Sequence, residues 1–319
     1  MKECSLRETA DILLKADKIA LTTHINSDGD ALGSLLGLGA ALERLGKEVY
    51  FLIDDVLPTQ YMFLPGIEKI KRPDEFLTIK ADLLVILDAS DFERIGKVAD
   101  FTKAAFTLNI DHHISNSGLS DFRLLDVAAA ATCEIIFCLL AEMGVAIDRQ
   151  IAVALYAGVV SDCGFFRYAN TTAKTLRVAA QLLDVGVVPN EIADFIETKT
   201  VENLYLLPKI LDTLRFFLDG KIAAIIVPIS LYHNNIDSDA FIRYPRYVSG
   251  VEVALLFKEI SENITRVSIR SKTLDVSKVA LEFGGGGHMR ASGCTLRADI
   301  VSAQQIMVDV LRRYMEEPC

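Results

Sequence analysis

The sequence predicts an α/β protein, with an N-terminal parallel sheet flanked by helices, a helical connector and a smaller C-terminal α/β domain. Three observations predict it. Lys18-Ile-Ala-Leu-Thr-Thr23, Asp82-Leu-Leu-Val-Ile-Leu87 and Phe106-Thr-Leu-Asn-Ile110 are short, near-continuous apolar runs, the pattern of strands buried on both faces of a sheet covered by helices. These runs lead directly into His24, Asp88 and Asp111, and ligands of parallel sheets bind outside the carboxyl ends of the strands. Finally, 319 residues with 51% hydrophobic content suffice for two domains with substantial cores.

The elements follow in order. Met1-Lys-Glu-Cys-Ser-Leu-Arg-Glu-Thr-Ala10 is charged and leads into an amphipathic helix. It is not signal-like, so neither secretion nor membrane insertion is indicated and a cytoplasmic location is expected. After the first strand, Ala31-Leu-Gly-Ser-Leu-Leu-Gly-Leu-Gly-Ala-Ala-Leu42 reads as a helix stopped near Gly46. Its uncharged run is too short to span a bilayer. Its glycines let it pack close to the sheet, and its N-terminus would face a metal-bound anion. Gln150 to Val160 reads as a buried helix ending at Ser161-Asp162-Cys163-Gly164. Asp162 there needs a partner, although a lone Asp before Gly also suits a helix-terminal turn. Asn170-Thr-Thr172 can cap a helix from Ala173 to Leu183, and Pro189 suits the first turn of another. Glu202 to Phe217 is a further amphipathic stretch interrupted by Pro208, Asp219-Gly220 makes a turn, and Lys221-Ile-Ala-Ala-Ile-Ile-Val227 is a strand. These features divide the chain into a first domain at 1–187, a helical connector at 188–217 and a second domain at 218–319.

Three of the five histidines fall in two acidic clusters, His24-Ile-Asn-Ser-Asp28-Gly-Asp30 and Asp111-His112-His113. Imidazole supplies a neutral nitrogen, and each Asp supplies charge that offsets that of a divalent cation. Buried without a metal, unpaired charges of this kind cost on the order of several kcal/mol each. An adjacent His pair by itself is usually an incidental surface or hydrogen-bonding feature. Here the strand-end positions, the Asp28 and Asp30 pair, and the apolar settings of Asp88 and Asp162 are separate coincidences that together indicate a metal site. His233, in Leu231-Tyr-His-Asn-Asn235, has no carboxylates spaced around it and reads as a loop residue.

In the second domain Thr265-Arg-Val-Ser-Ile-Arg270 alternates, placing Arg266, Ser268 and Arg270 on one, wet face and Val267 and Ile269 on the other. A solvated strand face is the ordinary meaning of such a pattern. The four glycines at 284–287 add to it, because their backbone amides can approach an anion without Cβ obstruction. A glycine run is also often only a flexible loop.

Residues 218 to 319 carry 12 basic and 12 acidic side chains, so the formal charge of -10 belongs to residues 1 to 217. There is no basic tract of the kind that tracks long nucleic acid. Long nucleic acid is therefore not expected as a partner, and short substrates are favoured. The six cysteines, Cys4, Cys133, Cys138, Cys163, Cys294 and Cys319, contain no CxxC spacing. That disfavours a zinc ribbon or dithiol redox site and leaves reduced buried thiols.

The order His24-x3-Asp28-x-Asp30-Ala-x-Gly33-Ser34, Asp88, Asp111-His112-His113-x-Ser115-Asn116, Asp162-x-Gly164 resembles the four motifs of the DHH phosphoesterase superfamily. Gly284 to His288, followed by Ala291-Ser292-Gly293, resembles the signature of its accessory DHHA1 domain. The two-domain layout is most similar to the nanoRNase/pAp-phosphatase branch. That branch degrades very short oligoribonucleotides to mononucleotides and removes the 3′-phosphate of 3′-phosphoadenosine 5′-phosphate (pAp), by a water activated between two metals. The resemblance implies that His24, Asp28 and Asp88 hold one divalent cation and that Asp30, Asp88, His112 and Asp162 hold the other, with Asp88 as a bridging catalytic ligand. It implies Mn²⁺, with Mg²⁺ or Co²⁺ as substitutes. His113 would contact the scissile phosphate and assist the leaving group, while Asp111 would orient a neighbouring histidine. Arg270 and Ser271, with Gly284, Gly285, Gly286, Gly287 and His288, would recognise the nucleotide away from the metals. Ser27 stands where many members carry Pro, which affects loop stiffness. The implied partners are short RNA oligonucleotides or small nucleotides, with a homodimer as an assembly to test. Three alternatives remain: a cyclic or linear dinucleotide (c-di-AMP or pApA) phosphodiesterase, a single-strand exonuclease of longer reach, and a nucleotide-binding sensor without turnover. Intact ligands at every motif argue against the last.

Overall fold

In the computed structural model, which describes residues 1–73, 80–103, 106–116, 118, 120–231 and 238–316, the apolar runs are neighbouring strands of one sheet. Chain contacts separate two units, Met1–Thr198 and Lys199–Cys319. The first contains β1 (Lys2–Glu3), α1 (Leu6–Lys15), β2 (Lys18–Thr22), α2 (Gly29–Arg44), β3 (Glu48–Leu52), β4 (Leu83–Leu87), β5 (Phe106–Asp111), β6 (Phe122–Leu125), α3 (Thr132–Glu142), α4 (Arg149–Asp162), α5 (Ala173–Asp184) and α6 (Pro189–Glu197). Strand order is β1-β6-β5-β4-β2-β3, and every pair is parallel. The predicted α/β class is borne out. β2 has its next strand in sequence, β3, on one side and β4 on the other. The order therefore reverses at β2, and the crevice beyond the carboxyl ends of β2 and β4 is where such a sheet accepts ligands.

Burial on both faces explains why these strands show no polar alternation. Ile19 and Leu21 enter a core that includes residues of α1, α2, α3 and α4, whereas Ala20 joins Leu52, Leu84, Ile86, Ile95 and Val98 on the opposite side. α1 begins at a capping box between Ser5 and Glu8 and buries Thr9, Ala10 and Leu13, the expected amphipathic helix. α2 is buried from Gly29 through Leu42, as befits a helix apolar all round. Of the three glycines at 31–42, which were expected to face the sheet, two face α4. A Cβ on Gly33 would lie 2.4 Å from the Ala154 carbonyl oxygen, and one on Gly37 would lie 2.7 Å from Leu155. Only Gly39 of the three meets the sheet, at Phe51 of β3.

The second unit contains α7 (Val201–Leu211), β7 (Arg215–Phe217), β8 (Ile222–Val227), α8 (Arg243–Tyr247), β9 (Val253–Ser261), β10 (Ile264–Ser271), α9 (Val276–Leu281), β11 (Gly286–His288), β12 (Ala291–Leu296) and α10 (Ile300–Glu316). Its strands are ordered β11-β12-β10-β9-β8-β7, with β8 and β9 parallel and the other pairs antiparallel. α9 and α10 contribute to the core on one face, and Leu206 and Ile210 of α7 to that on the other. Residues 188–217, read as one helical connector, are divided: α6 lies in the first unit, and α7 and β7 in the second. The helix expected to reach Phe217 stops at Leu211. Arg215–Phe217 instead pairs antiparallel with β8, where aromatic side chains suit a pleated surface. Among the described residues no helix is long and apolar enough to cross a membrane. His233 and Cys319 lie outside the described residues, and the other five cysteines are free thiols.

Candidate metal centre

β2 delivers the chain to His24. The loop that follows is stiffened without proline: the Ser27 hydroxyl donates to the His24 carbonyl at 2.7 Å. Asp28 then caps α2, its Oδ1 accepting the amides of Asp30 and Ala31 at 3.0 Å each. This cap places Asp30, 1% exposed, in the first turn. His24 Nδ1 donates to the Ile25 carbonyl at 2.9 Å, which leaves Nε2 facing Asp88 Oδ2 at 3.5 Å and Asp28 Oδ1 at 3.9 Å.

Asp88 follows β4 in the left-handed region, at φ 56°, a conformation that costs an ordinary residue about 1–2 kcal/mol. Such strain concentrates at functional sites. Its amide still donates to the Ile110 carbonyl at 3.0 Å, while the carboxylate leaves the strand direction and meets three histidines. Oδ2 lies 3.5 Å from His24, and Oδ1 lies 3.5 Å from both His112 Nε2 and His113 Nδ1. His112 Nδ1 donates to the Ala129 carbonyl at 3.2 Å. Its Nε2 lies 3.4 Å from Asp162 Oδ2 and 3.8 Å from Asp30 Oδ2. Asp162 does end α4, and its carboxylate also reaches His112, so both sequence readings of this residue hold together.

Three groups of ligand atoms, each within 4.8 Å of one another, result: His24, Asp28 and Asp88; Asp30, His112 and Asp162; Asp88, His112 and His113. Divalent ions bind nitrogen and oxygen at about 2.0–2.2 Å, so donors sharing one ion lie roughly 3–3.5 Å apart. The separations of 3.4–3.9 Å match that spacing after a small contraction. Carboxylates with imidazole Nε2 are a donor set for a divalent cation. The residues fit the group.

Electrostatics agree. Burial, with Asp88 beside it, pushes Asp30 up to about 7, and burial raises Asp162 well above the carboxylate range. Burial disfavours charge on His112, yet Asp162, Asp88 and Asp30 raise it to about 9. Burial likewise works against charge on Asp88, but His24, His113 and His112 hold it well below the ordinary value. A cation at His112 Nε2 must therefore displace a proton at neutral pH. Divalent-ion affinity is expected to rise with pH up to about 9. Calorimetry at pH 7 in buffers of different ionisation enthalpy should show proton release, and binding without it would contradict ligation by His112.

Asp111 belongs to none of the three groups. Fully buried, it accepts through Oδ1 from the His112 amide at 2.8 Å, the His113 amide at 3.2 Å and His113 Nδ1 at 2.7 Å. Its Oδ2 accepts from Asn116 Nδ2 at 2.6 Å. Asn116 also donates to Asn109 Oδ1 at 2.7 Å, and Asn109 donates to the Ile86 and Ala89 carbonyls at 3.1 Å. Sequence reasoning missed Asn109, whose polar side chain inside an apolar strand was the available signal. Thr172 of the expected capping segment Asn170-Thr-Thr172 caps α5, while Asn170 donates to the Ala130 carbonyl at 3.0 Å and the Asp162 carbonyl at 3.2 Å. Thr132, at the start of α3, was also missed.

In the second unit Arg270 is half-buried, and its Nη1 donates to the Ile269 carbonyl at 3.0 Å. Ser271 is fully buried and its hydroxyl donates to the Leu274 carbonyl at 2.5 Å. The face expected to be wet is so only at Arg266, because Ser268 is buried. The glycine run is partly strand. Gly286, Gly287 and His288 pair with Gly293, Ser292 and Ala291. A Cβ on Gly285 would lie 2.2 Å from the Gly293 carbonyl, and one on Gly287 would lie 2.5 Å from that of Ala291. Close approach of β12 thus accounts for two of the four glycines. Arg270 and His288 occupy one rung of the sheet, each paired with Ala291 from opposite sides.

Residues 18–159 match the model of the DHH family, N-terminal domain, and residues 221–317 match that of the DHHA1 domain. The chain is 35% identical over 310 residues to a protein of Thermus thermophilus named bifunctional oligoribonuclease and PAP phosphatase NrnA, covering 96% of this chain and 93% of that one. It is similar to the crystal structure of an exopolyphosphatase-related protein from Bacteroides fragilis, with TM-score 0.87, 25% identity, and 97% and 96% of the two chains covered. RecJ of Thermus thermophilus, solved in complex with Mn²⁺, shares the fold at TM-score 0.57 and 14% identity over 98% of this chain and 55% of that one. Two family models in this order and a relative similar along nearly its whole length establish that the chain belongs to the DHH family, in the two-domain DHH and DHHA1 branch of its NrnA relative.

Proposed function

We propose that the protein is a divalent-metal-dependent phosphoesterase that hydrolyses short oligoribonucleotides to mononucleotides and removes the 3′-phosphate of pAp. The observation that carries this reading is Asp88, one carboxylate whose two oxygens face histidines of two different ligand groups. The printed activities of the Thermus relative support the substrate class. Two divalent cations, with Mn²⁺ the favoured species, would supply Lewis acidity and a lowered pKa for a water near phosphorus. His24, Asp28 and Asp88 would hold one, and Asp30, Asp88, His112 and Asp162 the other.

The chain's own residues do the rest. Asp111 holds His113 Nδ1 at 2.7 Å, which fixes the ring, and the His113 side chain would protonate the departing oxygen as the phosphorus–oxygen bond breaks. Arg270 and the backbone of Gly284 to His288 are the nucleotide-binding elements in this reading. The Arg270 guanidinium has no carboxylate partner among the described residues, so its charge is available to a phosphate. The Ser271 hydroxyl donates to the Leu274 carbonyl, which holds the end of β10 beside Arg270, and Ser271 belongs to the same nucleotide-binding set in this reading.

Phosphate or mononucleotide release with Mn²⁺ should be measured on pAp, diribonucleotides, c-di-AMP and a long single strand. Turnover of the first two that is abolished by a chelator is the expected result; activity confined to the last two would overturn the reading. Arg270→Ala should raise KM for pAp and diribonucleotides by an amount equivalent to about 1.5–3 kcal/mol, as for a lost charge-assisted hydrogen bond. Metal content should stay at the parent level, and so should the rate on a small generic phosphodiester. Equal losses on both substrate types would remove Arg270 from nucleotide binding.

A further inference from the structure

We propose that residues 129–133 are the positioning element of one ion site, and that the Thr132 hydroxyl sets that site's affinity by fixing how Asp88 is shared. The inference rests on the metal-dependent reading above. Within five consecutive residues the chain reaches the entire Asp30, His112, Asp162 and Asp88 set. The Ala129 carbonyl accepts from His112 Nδ1 at 3.2 Å, which determines that Nε2 faces the carboxylates. The Ala130 carbonyl accepts from Asn170, whose same nitrogen donates to the Asp162 backbone. The Thr132 amide donates to Asp30 Oδ2 at 2.6 Å and the Cys133 amide to Asp30 Oδ1 at 2.8 Å. The Thr132 hydroxyl donates to Asp88 Oδ1 at 3.0 Å.

That last bond distinguishes the two oxygens of Asp88. Oδ1, held by Thr132, is the atom 3.5 Å from His112, and Oδ2 is the atom 3.5 Å from His24. Without the hydroxyl, rotation of the carboxylate would cost less, and the His112 side would lose its fixed donor. The segment is itself anchored through Glu134, which is fully buried, accepts from Thr175 Oγ1 at 2.8 Å and lies 3.1 Å from Lys174 Nζ. In the other group the Asp28 side chain, which caps α2, is 49% exposed. Partners that orient metal ligands typically contribute 10–100-fold to metal affinity.

The test is titration of metal-stripped protein with Mn²⁺, free ion being followed by electron paramagnetic resonance, for the parent, Thr132→Val, Thr132→Ala and Thr132→Ser. Val keeps the shape and the backbone donor and removes only the hydroxyl. The expected result is two binding steps in the parent, one of them weakened 10–100-fold in the Val and Ala variants and restored by Ser. Thermal melting of the metal-free proteins establishes that all four fold. Parent affinities at both steps in Val and Ala would overturn the role of Thr132, as would equal weakening of both steps. A parent protein that binds no pair of ions would overturn the metal reading itself, a result distinct from either.

Discussion

Asp88→Asn is expected to lower kcat/KM for pAp by at least about 10³-fold, or roughly 4 kcal/mol of transition-state stabilisation. Asparagine keeps the shape and tolerates the left-handed backbone at φ 56° better than most residues, so folding should survive where the charge does not. The loss is large because one carboxylate faces His24 through Oδ2 and His112 through Oδ1. Removing its charge weakens both ligand groups together. Burial raises the cost of that change, since Asp88 is 2% exposed and the histidines around it lose the anion that balances them. Elemental analysis after gel filtration should show less than one ion per chain, with an unchanged far-ultraviolet spectrum. A variant that kept two ions and near-parent turnover would show that Asp88 is not shared.

The strands that carry the site were legible because burial on both faces leaves a continuous apolar run, and the polar residue that breaks the run marks its end. Thus β2, β4 and β5 could be placed from Ile19, Val85 and Leu108 and their neighbours, and His24, Asp88 and Asp111 stood out at their ends. What surrounds those ligands was not legible. Thr132 meets Asp30 across 102 positions of sequence, and nothing local distinguishes it from any threonine opening a helix. The partner of an apolar helix is equally hidden. The glycines of α2 announce a close approach, but only the fold shows that Ala154 and Leu155 of α4 make it. β11 was lost for a related reason. Glycine suggests a loop locally, whereas pairing with β12 depends on Gly293 and Ala291, whose carbonyl oxygens leave no space for a side chain at Gly285 and Gly287.

His112→Ala and His113→Ala are expected to fail in different ways, although the rings are adjacent, with centroids 4.8 Å apart. His112 turns Nε2 toward Asp30, Asp88 and Asp162. Its loss should weaken one ion by tenfold or more and reduce turnover with it, and added Mn²⁺ should recover part of the activity. His113 has its Nδ1 engaged by Asp111 at 2.7 Å, the arrangement of an oriented acid. Its removal should leave ion content at the parent level and lower kcat by about 10²–10⁴-fold, the usual contribution of a positioned proton donor. KM should change little, because a group that acts on the departing oxygen interacts more strongly with the transition state than with bound substrate. A substrate whose leaving group needs no proton, such as a p-nitrophenyl ester, should recover most of the His113→Ala rate and none of the His112→Ala rate. The geometry also contains the competing assignment, since His113 can join Asp88 and His112 around one ion. Under that assignment the His113 variant would lose metal and respond to added Mn²⁺, so ion content and leaving-group dependence together decide between a ligand and an acid.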